Sequence, residues 1–226
     1  MSRSLLAWIT GSGYNRTMAV IIKIGGSLLQ CPDVLVRVCE TISRIRAPVG
    51  VVAGGGKLAD CVRDMQSRLG FDDITAHVLA LKAMDMNAVA LCESIDRGVA
   101  VSNLEDFGAS WSGNTIPIWL PSALCERDAR LVESWDTTSD AIAARLCERL
   151  PASGVVVLKS CEVDAGASLG EIAARGVVDL EFPKIVSRAV MVWRVLGPSQ
   201  HQNLASICDD MLRYRRENSD VVGAHL

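Results

Sequence analysis

Ala19-Val20-Ile21-Ile22-Lys23-Ile24-Gly25-Gly26-Ser27 is the stretch on which the fold turns. An apolar, β-branched run closed by two glycines predicts a buried strand entering a tight turn. Val49-Gly50-Val51-Val52-Ala53 repeats the pattern and ends in Gly54-Gly55-Gly56, and Val155-Val156-Val157-Leu158 ends at Lys159. Helical spacing fills the intervals, over 33–45 and 57–68. A long helix runs from Asp72 or Asp73, either able to cap it, to about Asp96, and another covers 141–150 behind the capping side chains Thr137 to Asp140. The middle is less regular, with short apolar runs at 99–101 and 116–120. The C-terminal third offers helices at 168–174 and 183–187, a strand at 189–195 and a helix over 199–213. Continuous apolar strands alternating with helices predict an α/β protein, with a mainly parallel sheet covered by helices on both faces. Residues 1–17 read as an N-terminal appendage, 18–215 as one domain and 216–226 as a polar tail.

Composition narrows the function. The 226 residues carry 23 Lys+Arg against 26 Asp+Glu, and half are apolar. That balance excludes a disordered chain and gives no basic surplus to coat nucleic acid. No apolar run reaches the ~18 residues of a membrane span, and the stretch from Leu5 to Ile9 is shorter than a signal-peptide core. Eight cysteines form no C-x-x-C pair, so they read as reduced, mostly buried thiols of a cytoplasmic protein. Only five of the 23 cations are lysines: Lys23, Lys57, Lys82, Lys159 and Lys184.

Ligands of open α/β sheets sit beyond the carboxyl ends of the strands, where glycine lets the backbone approach an anion without a Cβ in the way. Two of the predicted strand ends carry glycine loops and a third ends at Lys159. Neither loop fits the P-loop or the dinucleotide fingerprint, so a phosphate site rests on the combination. Lys23 is costly to bury alone and needs an anion, either a ligand phosphate or a carboxylate. Asp140, at the start of its helix, is the candidate partner for both Lys23 and Lys159.

Lys23-x-Gly25-Gly26-Ser27, the Gly54-Gly55-Gly56 loop, Thr138-Ser139-Asp140-x-x-Ala143 and Leu158-Lys159-Ser160 resemble, in order and spacing, the amino-acid kinase superfamily from about Val20 to Ser206. Gly54-Gly55-Gly56-x-x-Ala59-Asp60-x-Val62-Arg63, Ala76-His77-x-x-Ala80, Ser134-Trp135-Asp136-x-Thr138 and Val178-Asp179-x-x-Phe182-Pro183-Lys184 are most similar to one branch. Its kinases act on aminomethylfuran-methyl phosphate in methanofuran-type cofactor synthesis. Uridylate kinases are also similar, but usually place Asp where this chain has Ala76.

The resemblance implies a three-layer α/β/α sandwich and an ATP-dependent small-molecule kinase, with Mg²⁺ bridging ATP oxygens and few or no fixed protein ligands. Its partners would be ATP and a small phosphorylated acceptor, in a homo-oligomer. Lys23 would stabilise the transferring phosphoryl group, with Gly25 and Gly26 cradling it through their N–H groups and Ser27 close by. Asp140 would hold Lys23 in place, and Lys159 and Ser160 would meet the nucleotide. Gly54, Gly55, Gly56 and Thr138 would hold the acceptor. Arg63 either clamps the acceptor phosphate or is a solvated arginine. His77 either faces the acceptor or is structural. Asp136 either bonds the acceptor or caps a turn, and Trp135 is either a pocket wall or packing. Lys57 borders the second loop as a local charge, while Lys82 and Lys184 read as surface charges. One departure from the pattern stands out: Val163-Asp164-Ala165-Gly166 replaces the usual Asp-Gly turn, and the nucleotide segment after it is short. That favours, as the rival class, a binding subunit without turnover.

Overall fold

A computed structural model describes residues 18–126, 128–150 and 152–218; the predicted appendage, 1–17, lies outside them. Six strands form one sheet: β1 (Ala19–Ile24), β2 (Val49–Ala53), β3 (Gly98–Val101), β4 (Ile116–Trp119), β5 (Ala152–Leu158) and β6 (Val192–Leu196). Their order is β3-β4-β2-β1-β5-β6 and every neighbouring pair is parallel. β1 is therefore central, with Lys23 in register between Val52 and Val157. The chain builds outward from β1 first on one side and then on the other, which places a crevice at the carboxyl ends of β2, β1 and β5.

Helices cover both faces: α1 (Pro32–Arg44), α2 (Gly56–Leu69), α3 (Asp73–Ser94), α4 (Glu105–Ser112), α5 (Ser122–Cys125), α6 (Ser139–Arg149), α7 (Leu169–Ala174), α8 (Phe182–Arg188) and α9 (Leu204–Glu217). Alternation along β1 divides the core. Val20, Ile22 and Ile24 pack with Val38 and Ile42 of α1, Ala88 and Leu91 of α3, and Cys208 and Met211 of α9. Ile21 faces the other way, toward Ile142 and Leu146 of α6, Phe182 and Ile185 of α8, and Phe107 of α4. Lys23 shares the parity of Ile21, so its side chain starts on the α6 side of the sheet. This is the predicted three-layer sandwich. Among the described residues only α3 is long and apolar enough to cross a membrane; it packs on the protein through Ala76, Leu81, Met84, Ala88 and Leu91.

The predicted elements are present, with local differences. Asp72, one of the two expected caps, accepts from the Thr75 N–H at 2.8 Å. β6 starts at Val192 rather than Ala189, because Val190 adopts φ 46° and turns the chain. Residues 198–203 form a 3-10 turn opened by Pro198, and α9 then runs to Glu217, past the predicted tail boundary at 216. The short helices α4 and α5 were not expected. Asn103 supports the start of α4 by accepting from the Asp106 N–H at 2.9 Å.

Candidate active site

Lys23 and Lys159 converge on one carboxylate. Asp140 is the second residue of α6, and that helix start meets the mouth of the sheet above β1 and β5. Lys23 Nζ lies 2.7 Å from Asp140 Oδ1, and Lys159 Nζ donates to Oδ2 at 2.6 Å. The Lys23 and Asp140 side chains are 4 % and 3 % exposed, whereas Lys159 keeps 16 %. Burial lowers the Lys23 pKa, and the Lys159 charge adds to the effect against the attraction of Asp140. For Asp140, burial works to protonate the carboxyl, but Lys23 and Lys159 together outweigh it and hold the pKa below the ordinary value. Two lysine side chains thus share one buried carboxylate at the mouth of the sheet.

The glycine loops touch. A Cβ on Gly26 would come within 2.4 Å of Gly56 N, and one on Gly54 within 2.4 Å of Gly26 N. Gly56 also needs its positive φ of 52°. Two N–H groups are already committed: Gly25 donates to Leu158 O and Gly54 to Ile24 O, both at 2.9 Å. Gly25 therefore extends the sheet and does not supply the phosphate-cradling N–H expected of it. Gly26 and Ser27 open a 3-10 turn, and Gly56 opens α2, so the first N–H groups of both elements have no partner within their own helix. Asn87 on α3 clamps the second loop, its amide donating to Gly54 O at 2.8 Å and Gly55 O at 2.9 Å. An amide inside the apolar run Met86-Asn87-Ala88-Val89 was the sequence signal for this residue.

A cleft of about 280 Å³ opens between these elements. Its walls include Lys23, Gly25, Gly26, Ser27, Asp140, Lys159 and Ser160. Gly55, Gly56, Arg63, His77, Trp135 and Thr138 also line it. Leu81, Met84 and Ile142 add apolar surface. Two expected residues are elsewhere: Gly54 is buried under the loops, and Asp136 is exposed on the turn before α6. Lys57, read as a local charge, is exposed outside the cleft. The Asp136 N–H donates to Ser134 Oγ at 3.1 Å. Lys82 pairs with Glu126 and Lys184 with Glu181, each at 2.5 Å.

The Arg63 guanidinium lies 3.9 Å over the Trp135 ring, whose Nε1 donates to Gln66 Oε1 at 2.7 Å. Stacking fixes the planar guanidinium while leaving its N–H edge for a bidentate partner. Trp135 is thus a wall that orients Arg63. His77 is buried, and its Nε2 has no hydrogen-bond partner. Burial lowers its pKa, against the partial pull of Glu133, which favours the neutral imidazole. Thr138 lines the cleft, yet its N–H and its hydroxyl both donate to Asp179 Oδ2, at 3.0 and 2.7 Å. Its donors are therefore directed away from a ligand. Among the described residues no group of three or more His, Cys, Asp or Glu side chains is placed to hold a metal ion.

Comparison with known proteins follows the same outline. Residues 18–163 match the amino acid kinase family. The chain is 28 % identical over 138 residues to a [5-(aminomethyl)furan-3-yl]methyl phosphate kinase of Methanocaldococcus jannaschii, a match covering 61 % of this chain and 63 % of the relative. In structure it resembles the uridylate kinase of Archaeoglobus fulgidus, with TM-score 0.61 and 21 % identity over 84 % of this chain and 96 % of the other. It also resembles the carbamate kinase of Giardia lamblia, solved bound to AMP-PNP, with TM-score 0.57 and 10 % identity over 84 % and 95 %. Glycine loops at two strand ends, a third strand ending in lysine and a carboxylate shared by both lysines thus sit on a sheet common to these kinases, and the chain belongs to the amino acid kinase family.

Proposed function

We propose that this protein transfers the γ-phosphoryl group of ATP to the phosphate of a small acceptor, forming a diphosphate. The observation that carries the reading is the Lys23–Asp140–Lys159 arrangement facing two apposed glycine loops. An acceptor phosphate oxygen attacks the γ-phosphorus, the bond to the β–γ bridging oxygen breaks, and ADP leaves with that electron pair. Such a transfer needs positioning and charge neutralisation more than covalent help. Lys23 stabilises the transferring group, Gly26 and Ser27 offer N–H donors to its oxygens, and Lys159 with Ser160 meets the remaining nucleotide phosphates. Asp140 spaces the two ammoniums and is not a base, since a phosphate acceptor is already anionic. The first turn of α2 and Arg63 hold the acceptor phosphate. Mg²⁺ supplies further charge neutralisation when bound with ATP through the nucleotide's own oxygens.

The acceptor we favour is aminomethylfuran-methyl phosphate. Likeness to the kinase named for that substrate supports it, as does Ala76, a buried residue where uridylate kinases usually carry Asp. UMP is the second reading, supported by the uridylate kinase likeness in fold. A subunit that binds nucleotide without turnover is favoured by one feature only, the short connection from Lys159 to α8, whose sole helix is the six-residue α7. The test is incubation with Mg·ATP and a panel of monophosphates containing both acceptors, with product masses read directly. The aminomethylfuran diphosphate and ADP are expected, with kcat down about 100- to 1000-fold in Lys23→Ala. No product from any acceptor sinks the kinase reading, and fastest turnover of UMP replaces the acceptor.

A further inference from the structure

Asp179 lies outside the cleft, yet it holds more donors than any carboxylate within it. Its Oδ2 accepts from the Thr138 N–H at 3.0 Å, the Thr138 hydroxyl at 2.7 Å and the Ala141 N–H at 2.9 Å, while Oδ1 accepts from the Phe182 N–H at 2.8 Å. Thr138 is the residue before α6 and has the extended backbone of an N-cap, but its side chain makes no cap bond to its own helix. Asp179 performs that task from 38 or more residues away in sequence. The two backbone groups it takes flank Asp140, one on either side. Its other oxygen fixes the first residue of α8, so one carboxylate ties together the starts of two helices that pack on each other.

We infer that Asp179 is a positioning residue for phosphoryl transfer, which acts by pinning the α6 start so that the Asp140 oxygens remain aimed at Lys23 and Lys159; this rests on the kinase reading above. The reasoning is geometric. Asp140 reaches both lysines at 2.6–2.7 Å with the opening residues of its helix, where helix ends otherwise fray. A displacement of the helix start moves both ammoniums with it. Misplacement by about 1 Å costs about 100-fold in rate in well-ordered sites. The bonding is costly to keep: burial, and then the Asp140 charge, raise the Asp179 pKa against the bonds from Ala141, the Thr138 hydroxyl and Phe182. A carboxylate kept in that setting for helix capping alone could be replaced by Thr138's own hydroxyl, which instead is turned toward Asp179.

The test uses the full chain with isotope-labelled lysine side chains, since five lysines give an assignable spectrum. In Asp179→Asn the Lys23 and Lys159 side-chain signals are expected to move while those of Lys57 and Lys82 stay. In the same variant kcat falls about 10- to 100-fold with KM for ATP and acceptor within about twofold. Thr138→Val acts in the same direction, Thr138→Ser restores the wild-type behaviour, and Asp179→Asn with Thr138→Val is no worse than Asp179→Asn alone. Unmoved Lys23 and Lys159 signals overturn the inference, as does a lowered unfolding temperature with kcat intact. If Asp179→Asn fails to fold, Thr138→Val decides by the same two readouts. If the wild type phosphorylates no acceptor, the kinase reading falls, and the lysine signals alone decide whether Asp179 holds Asp140.

Discussion

Asp140, itself almost wholly buried, meets one ammonium at each oxygen. A lone charge there costs several kcal/mol, so the three side chains are retained as a set. The Asp140→Ala variant strands Lys23 without its counter-charge, and its unfolding free energy is expected to fall by about 3–5 kcal/mol in a urea titration. Adding Lys23→Met recovers part of that loss, because a methionine of similar length needs no anion; strictly additive losses would show that the pair is uncoupled. A buried lysine in an apolar strand was enough to demand an anion, and the acid at the start of the later helix was the candidate at hand. The residues that support the site were harder to read. Asn87 and Gln66 act on loops and rings far away in sequence, and nothing in their neighbours marks where an amide will point.

The two glycine loops show how elements can be predicted while their contact is not. Each loop reads as a strand end on its own, but only the fold presses Gly26 against Gly56 backbone to backbone. Gly26→Ala is expected to cost about 1–3 kcal/mol, and to abolish product formation, because the loops that build the cleft must separate. Gly70 offers the contrast. It closes α2 at φ 70°, and a Cβ added there would meet nothing within 4 Å, so Gly70→Ala costs about 1–2 kcal/mol of backbone strain and leaves turnover unchanged. Equal loss of activity in both variants would contradict the loop contact. The long strands and α3 were legible because hydrophobic period and capping agree along them. α4, with eight residues, and α5, with four, carry too few turns for a period to register.

Packing across the whole molecule decides how its thiols behave. Burial pushes Cys39 up to about 11 and Cys125, Cys147 and Cys208 up to about 12, whereas Cys61 and Cys161 are exposed. A maleimide added to native protein is expected to label Cys61 and Cys161 first, with those four buried thiols reacting only after denaturation, as read by peptide mass mapping. Labelling of Cys147 as fast as Cys61 would mean that α6 is not packed on the sheet. The chain by itself determined the alternation of strands and helices, the three loops at strand ends and the need for a carboxylate beside Lys23. These are local matters, set by period, backbone freedom and the cost of burying a charge. Only the tertiary structure decided that Gly25 spends its N–H on β5, that Asp136 lies outside the cleft and that Asp179 caps the helix of Asp140. Each of these depends on which distant group arrives first within hydrogen-bond reach, and strand order and helix packing set that distance, not the neighbours in sequence.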